Sequence, residues 1–583
     1  MVNTAIKDDA FTEAPRNIPL DQALAELSAA KDEWAQTSIE KRIAILLEIK
    51  DRLLPIAKDW AETASRMKGI PEDSALVGEE WISGPYPLMS ACNGLVETLS
   101  KMEGKSFLKS LKKRQTQSGQ TAVRVLPHTI WDHLLLSGVS AEVWMEDGVT
   151  LDNLAQHTAS AYNTPANQRH GKVALVLGAG NIAAIAPLDV LHKLFSEHQV
   201  VILKMNPVNE YLTDFLNDTF KPLIDINVLR IVKGGADVGG YLCEHGDVDE
   251  IHITGSGASH DVIVWGAGEE GQRNKAAGTP KLAKPITSEL GAVCPTIVVP
   301  GPWTASDLTF QAENIATQKM HNSGFNCVAC QMLILPKQWD KKPKLLKTIE
   351  ETIGNMDPRQ LYYPGADDRL SAFESYAHNV TKFDRGAIRA CLVGSETEST
   401  DDKYRMTEVF APALATHEID ILDPEAYLRA AITFSNEKLY GTLGSNIVIH
   451  PKTIKQIGKK RFESIIAELR YGTIAINTWS GLGFLTTACP WGAFPGHTLQ
   501  DVQSGIGFAH NTFMFDQPER VIVRAPWRPF PRNLLSGDIT LLPKPPWYVT
   551  NKKQHKVGML LTQFQHTPGW LKLPRIFLNA LLG

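Results

Sequence analysis

Apolar residues recur at helical spacing among charged residues from about 21 to 101, which predicts a helical N-terminal region. From residue 121 the pattern changes to the alternation typical of strands, at 121–127 and again at 140–145. These strands predict a hairpin-like segment that ends in a polar, proline-containing linker near residue 165. The helical region carries no evident chemistry, so we expect its helices to serve packing.

Strands and helices alternate through the middle of the chain. Buried strands are predicted at 172–177, 200–204, 228–232 and 249–254, with helices between them, and a second such series begins near residue 294 and ends near 477. This alternation is typical of doubly wound parallel sheets, which bind ligands at the carboxyl ends of their strands.

The composition narrows the class of protein. A chain of 583 residues is too long for one core, and a net charge of −5 gives no basic surface for nucleic acid. Seven scattered cysteines do not form a disulfide framework, and no secretory leader is visible, so we expect a reducing, cytoplasmic location. The most apolar stretch, 173–191, is interrupted by Gly, Asn, Pro and Asp, and is not predicted to span a membrane.

The most informative stretch is 321–330, a loop of small residues between a predicted helix and a predicted strand. It contains Cys327, and a loop thiol in such a setting can have a lowered pKa and act as a nucleophile. A lone loop cysteine is, however, more often simply packed. Cys327 and Cys330 would also fit a redox dithiol or half of a zinc site. Because the chain has no second such pair and His321 has no partner at ligand spacing, we predict no metal.

Three residues with possible chemical roles occur in a definite order along the chain. Asn181 follows a Gly-Ala-Gly turn, Glu289 lies in Thr-Ser-Glu-Leu-Gly, and Cys327 comes last. This ordered set resembles the aldehyde dehydrogenase superfamily over about residues 172 to 515. The resemblance also rests on the motifs Lys204, Gly255-Ser256 and Glu408-Val409-Phe410-Ala411-Pro412.

The resemblance implies oxidation of an aldehyde to a carboxylic acid with NAD or NADP. Cys327 would attack the carbonyl, the Asn181 amide and the Cys327 backbone N–H would stabilise the oxyanion, and Glu289 would activate the hydrolytic water. The implied cofactor-binding residues are Lys204 for the adenosine ribose, Gly255 and Ser256 for the pyrophosphate, Glu408 for the nicotinamide ribose and Phe410 for the ring. Outside this context each would be an ordinary turn, surface or core residue.

The implied fold class is α/β, aldehyde-dehydrogenase-like, with two doubly wound α/β domains and a small β oligomerisation element, in a homodimer or homotetramer. We place the N-terminal helices and the dinucleotide-binding domain at 1–290, with the hairpin-like segment near 121–165. The catalytic domain with Cys327 follows at 291–490. Residues 491–583 return to the cofactor domain and end in a C-terminal arm.

The chain also departs from the family pattern. Phe325 and Asn326 replace the usual Gln-x before the cysteine, and Ala411 replaces a glycine. Residues 264–284 are interpreted as an insertion. Pro207 stands where NAD-preferring members commonly carry a Glu, which predicts that NADP is accepted. Two alternatives stay open: an acylating relative that uses coenzyme A or reduces an acyl thioester, and a catalytically idle binding subunit. Glu289 counts against the first, and retention of all three site residues counts against the second.

The end of the chain, 568–583, is rich in apolar residues beside Lys572 and Arg575. It is too short to span a bilayer and is interrupted at Pro574. An aromatic and leucine-rich segment with flanking cations predicts peripheral contact with a membrane. Packing on a neighbouring subunit is the alternative. The apolar residues are Trp570, Leu571, Leu573, Ile576, Phe577, Leu578, Leu581 and Leu582.

Overall fold

The computed structural model describes residues 17–357, 359–375, 380–385, 388–393 and 403–583. Within these residues the strands form two sheets. The strands are β1 (Lys112–Gln115), β2 (Thr121–Leu126), β3 (Ser140–Met145), β4 (Val173–Leu177), β5 (Val200–Lys204), β6 (Leu229–Val232), β7 (Glu250–Gly255), β8 (Ile286–Leu290), β9 (Cys294–Val298), β10 (Cys330–Pro336), β11 (Val380–Arg385), β12 (Ile388–Val393), β13 (Ala413–Ile419), β14 (Gly444–Val448), β15 (Thr473–Ile476), β16 (Gly505–Ile506) and β17 (Pro518–Arg524).

Helices cover both sheets. In the described part of the chain they are α1 (Ile18–Gln36), α2 (Ile39–Met67), α3 (Val77–Ile82), α4 (Pro85–Ser100), α5 (Ile130–Leu135), α6 (Ile185–Leu191), α7 (Thr213–Thr219), α8 (Lys221–Ile224), α9 (Ala236–Glu244), α10 (Gly257–Trp265), α11 (Gly268–Ala277), α12 (Ala305–Met320), α13 (Lys342–Gly354), α14 (Ala366–Ser375), α15 (Lys403–Met406), α16 (Pro424–Lys438), α17 (Pro451–Ile457), α18 (Lys459–Ala467), α19 (Gly481–Leu485), α20 (Gln554–His566) and α21 (Leu573–Leu581).

The smaller sheet has the order β16-β8-β7-β4-β5-β6, and its strands are parallel except for β16. Strands β4 and β5 are almost continuously apolar because helices cover both faces of the sheet. The register places the carboxyl ends of β4, β5 and β6 along one edge, with Lys204 opposite Leu177 and Val232. This is the edge at which a doubly wound sheet binds ligands.

The larger sheet has eleven strands among the described residues, in the order β1-β2-β3-β17-β15-β14-β9-β10-β13-β12-β11. Its centre, from β17 to β12, is parallel, whereas β1, β2 and β3 are antiparallel to their neighbours. The predicted fold class is therefore confirmed. The small antiparallel element is continuous with the second sheet, because β17 pairs with β15 on one side and β3 on the other.

The N-terminal helices and the tail helices pack together. Helix α2 runs through Pro55 without a break and packs against α3 and α4, and α20 packs against the same two helices. Pro574 lies in the first turn of α21, where the missing N–H costs nothing, so it does not interrupt that helix. Among the described residues, no helix is long and apolar enough to cross a bilayer.

Candidate active site

The Cys327 loop joins α12 to β10 through a backbone that is unusual for its residues. Asn322 and Ser323 have φ of 53° and 54°, and Gly324 has φ of 79°. A Cβ at Gly324 would lie 2.8 Å from the carbonyl oxygen of Ala411, so only glycine fits there. Every residue of 321–330 is buried except Cys327, which is partly exposed. The loop therefore presents this one sulfur to the neighbouring cavity.

The Cys327 thiol lies beside the Glu289 carboxylate on β8, close enough for each group to shift the pKa of the other. Trp491 Nε1 donates to the same carboxylate, 3.1 Å from Oε1. Burial raises the pKa of Glu289 to about 7. Burial, followed by the nearby Glu289 charge, raises the pKa of the Cys327 thiol well above its ordinary value. The thiol thus keeps its proton at neutral pH, and Glu289 is positioned to accept it.

Asn181 follows β4 and lies beside the cysteine loop. One N–H of its amide donates to the Phe325 carbonyl oxygen at 2.9 Å, and the Asn322 amide donates to the same oxygen at 3.0 Å. Asn181 and Cys327 line one cavity, together with His321. Two of the three predicted catalytic residues therefore line one cavity, and the third, Glu289, lies beside Cys327.

Lys68 is a site residue that the sequence did not indicate. Its buried ammonium donates to Glu80 at 2.9 Å, to the Asn181 carbonyl oxygen at 2.9 Å and to Asn322 Oδ1 at 3.2 Å. A buried lysine is stable only with such partners. The expectation that the N-terminal helices serve packing alone is thus wrong, because this lysine holds the two loops that carry Asn181 and Cys327 together.

Glu79 on α3 also binds the loop that carries Cys327. Its carboxylate accepts the Asn322 backbone N–H at 2.9 Å and pairs with Arg359. Tyr362 donates to the Asn181 carbonyl oxygen at 3.1 Å and to Asn322 at 2.9 Å. One feature of the sequence could have indicated these buried charges. Two adjacent glutamates lie within the otherwise apolar segment 75–82, a pattern that is unusual for an exposed helix.

Glu408 is partly buried, close to the cysteine and to Glu289. A Cβ on Gly291 would lie 1.8 Å from Glu408 Oε2, so glycine is required for this approach. Burial, and then the Glu289 charge, raises the pKa of Glu408 to about 8. Its Oε1 is buried without a hydrogen-bond partner in the described residues. An orphan carboxylate oxygen of this kind fits a hydroxyl donor from a bound ribose.

The remaining predicted cofactor-binding residues are Phe410, Lys204, Gly255 and Ser256. Phe410 packs at 5.7 Å from the Phe325 ring. Lys204 ends β5 and is buried, which lowers its pKa. Gly255 ends β7 and Ser256 caps α10, and both are exposed. Lys204, Gly255 and Ser256 therefore share the carboxyl edge of the smaller sheet, where a helix N-terminus can hold a phosphate.

The chain is similar to known aldehyde dehydrogenases. The aldehyde dehydrogenase family model matches residues 158–360, which contain Asn181, Glu289 and Cys327. Together with the relatives and solved structures below, this match supports membership of the aldehyde dehydrogenase superfamily. Aldehyde dehydrogenase family 3 member F1 of Arabidopsis thaliana, a superfamily relative, is 23% identical over 354 residues, 59% of this chain and 66% of its own. The dimeric NADP-preferring aldehyde dehydrogenase of Rattus norvegicus is 27% identical over 184 residues, 31% of this chain and 37% of its own.

Solved aldehyde dehydrogenases share the fold. The Mycobacterium tuberculosis aldehyde dehydrogenase complexed with NAD+ aligns with a TM-score of 0.58 and 18% identity, over 86% of this chain and 88% of that chain. An NADP-dependent glyceraldehyde-3-phosphate dehydrogenase from Bacillus halodurans complexed with NADP gives a TM-score of 0.56 and 17% identity, over 87% and 91%. The chain spans between about one-third and two-thirds of the length of the two curated relatives above.

Proposed function

We propose that this protein oxidises an aldehyde to a carboxylic acid, with NAD or NADP as the acceptor, through a thioester on Cys327. The observation that carries the proposal is the position of the Cys327 thiol beside the buried Glu289 carboxylate, next to a cavity that Cys327 and Asn181 line. A packed, inert cysteine would need neither a buried acceptor nor an amide donor at the same cavity.

In this proposal Glu289 first takes the thiol proton, and the Cys327 sulfur forms a bond to the aldehyde carbon. The carbonyl oxygen then carries the negative charge of a thiohemiacetal. The second N–H of the Asn181 amide and the Cys327 backbone N–H are the donors for that oxygen, and one such donor contributes roughly 3 kcal/mol to the transition state. Lys68 and Asn322 hold the Asn181 loop in place for this purpose.

Bound nicotinamide would supply the acceptor for the hydride that leaves the thiohemiacetal carbon. Glu408, with its orphan oxygen, and Lys204, Gly255 and Ser256 at the sheet edge are the residues that would hold this cofactor. Glu289 then releases the thiol proton to solvent, removes a proton from the water that attacks the thioester carbon, and returns that proton to the Cys327 sulfur as the acid leaves. A carboxylate with a pKa near 7 suits a base at physiological pH.

The test is the absorbance of reduced nicotinamide across a panel of aldehydes, with NAD+ and NADP+ separately and with and without coenzyme A. Cys327→Ala should abolish the signal. Cys330→Ala is the matched control, because Cys330 is a buried residue of β10 only three positions away. Equal loss in both variants would refute the single-nucleophile mechanism, and a strict requirement for coenzyme A would replace hydrolysis with acyl transfer.

A further inference from the structure

His321 is a buried residue of the Cys327 cavity that the proposed catalytic steps leave unused. It directly follows α12 and begins the loop that carries Cys327. It lines the same cavity as Cys327, and only 2% of the residue is exposed to solvent. A partner for its ring must therefore reach it through this cavity.

Neither ring nitrogen of His321 has a hydrogen-bond partner among the described residues. Burial lowers the pKa of this imidazole to about 4, so at neutral pH the ring is uncharged and has one N–H donor and one acceptor nitrogen. A buried polar group without a partner is unfavourable, and such groups are uncommon in native proteins. The unpaired imidazole therefore indicates a partner that comes from outside the chain.

The wall around His321 is largely apolar, and both of its indole groups are engaged within the protein. Trp479 Nε1 donates to the Val328 carbonyl oxygen at 3.0 Å, and Trp491 Nε1 donates to Glu289 at 3.1 Å. The imidazole is thus a polar point in a wall that otherwise favours hydrocarbon. The aliphatic and aromatic side chains of this wall include Ile182, Ile185, Phe484 and Leu485.

Packing and backbone hydrogen bonds hold His321 in place. Its ring centroid lies 4.9 Å from that of Trp479, with the two rings tilted by 48°. The Asn326 amide donates to the His321 carbonyl oxygen at 2.7 Å, and the backbone N–H of the next residue, Asn322, donates to Glu79 at 2.9 Å. A donor and an acceptor that are already fixed lose little freedom on binding, so they can discriminate between ligands.

We propose that His321 binds a second oxygen atom of the substrate, so that the aldehyde oxidised at Cys327 is a short polar aldehyde with a hydroxyl or ether oxygen near its reactive carbon. This inference rests on the proposed aldehyde oxidation. Oxygen is the expected partner because an alkyl group in the same place would leave both imidazole nitrogens unpaired. His321 is then a substrate-binding residue that selects among aldehydes.

The first experiment measures kcat/KM for two pairs of aldehydes that have equal length and differ by one oxygen. The pairs are 3-hydroxypropanal with butanal and 3-methoxypropanal with pentanal. The ether oxygen only accepts hydrogen bonds, so the second pair isolates donation by the imidazole. We expect the oxygenated aldehyde to be preferred in at least one pair. Preference for the alkyl aldehyde, or equal values, in both pairs would overturn the inference, and equal values are what a cavity water on His321 predicts.

Two substitutions of His321 test whether its nitrogens cause the preference. His321→Phe keeps an aromatic ring without nitrogen and should lower the ratio of kcat/KM for the oxygenated aldehyde to that for its alkyl partner by at least tenfold. His321→Gln keeps a donor and an acceptor and should lower the ratio by less than threefold. An unchanged ratio in His321→Phe, or equal loss in both variants, would overturn the assignment.

His260→Phe is the matched control. His260 is fully buried and its Nε2 has no hydrogen-bond partner in the described part of the chain, but it lies on α10 and does not line the Cys327 cavity. The ratio should stay within twofold in this variant. Both aldehydes of a pair use the same cofactor site, so any effect of α10 on the cofactor cancels in the ratio. A tenfold fall in the control would overturn the assignment to His321.

A binding measurement separates this inference from the proposed reaction. Ligand-observed NMR titration of Cys327→Ala gives Kd for propane-1,3-diol and for butan-1-ol, neither of which has a carbonyl group. Adding His321→Phe should lower the ratio of Kd for butan-1-ol to Kd for the diol by at least fivefold. An unchanged ratio overturns the inference, whatever the activity. A ratio that depends on His321, without oxidation of any aldehyde, would instead overturn the proposed reaction and support a polar ligand in this cavity.

Discussion

Replacing Glu289 by glutamine is the sharpest test of the proposed chemistry. The carboxylate is buried, and its pKa lies at about 7 rather than at the ordinary 4.5. This difference corresponds to about 3 kcal/mol against ionisation in the folded protein. Because the proposed base must be ionised, the rate should fall tenfold for each pH unit below about 7. The unsubstituted protein should therefore show an acidic limb in kcat near neutrality.

Glu289→Gln should remove this limb and lower kcat by about 10²- to 10⁴-fold, the usual contribution of a general base. The first turnover should respond differently. Since Gln can no longer take the thiol proton, the burst of reduced cofactor should be slower. Its amplitude should still approach one per active site, because hydrolysis of the thioester is slowed more. Stopped-flow absorbance and steady-state rates between pH 5.5 and 8.5 measure both quantities.

Stability offers a second readout of the same group. Between pH 4.5 and about 7 the folded protein holds a proton on Glu289 that the unfolded chain has released. The free energy of unfolding must then fall as pH rises through this window, by about 3 kcal/mol for this group. Glu289→Gln lacks this loss, so its stability relative to the unsubstituted protein should be greater at pH 8 than at pH 5.

Glu72→Gln is the control, because Glu72 is exposed and lies outside the site. It should change neither the pH profile nor the pH dependence of unfolding. A Glu289→Gln variant that keeps the acidic limb would show that another group titrates. Loss of the burst amplitude together with turnover would mean that Glu289 serves the first step alone, and the hydrolytic role would be wrong.

Three further predictions concern the cofactor, the supporting charges and the tail. NADP+ should be used, because Pro207 can neither accept a hydrogen bond from a ribose hydroxyl nor repel a 2′-phosphate. Pro207→Glu should lower kcat/KM for NADP+ and not for NAD+. Strict NAD+ use by the unsubstituted protein would contradict this prediction. Lys68→Met should destabilise the protein by about 3–5 kcal/mol, since it leaves the buried Glu80 unpaired. The double variant Lys68→Met, Glu80→Gln should regain thermal stability while its kcat stays low. If both thermal stability and kcat recover, Lys68 contributes to stability only. Deleting 568–583 should abolish flotation with anionic liposomes if the exposed apolar side chains contact a membrane; a change in oligomer size alone, by size-exclusion chromatography, would support the subunit contact instead.

Local sequence patterns were sufficient for the α/β architecture and for the position of the cysteine loop. Strands such as β4 and β5 are apolar throughout because both their faces are buried, so they stand out between amphipathic helices. The order of Asn181, Glu289 and Cys327 was informative for a related reason. The carboxyl ends of parallel strands meet at one edge of a sheet, and the resemblance to the aldehyde dehydrogenase superfamily indicated which residues there act together.

Tertiary structure decided what no local pattern records. In the sequence, Lys68 and Glu80 are indistinguishable from ordinary charged residues of a helical region. They become a buried pair at the site only because that region packs against the Asn181 loop. Likewise, the apolar tail read as one continuous surface. In the fold its helix α21 has two different faces, with Ile576 buried against α20 and Leu578 in solvent, because a helix turns successive side chains to different faces. The same is true of β3, whose alternating pattern predicts a strand at 140–145 but does not indicate that the distant β17 is one of its partners.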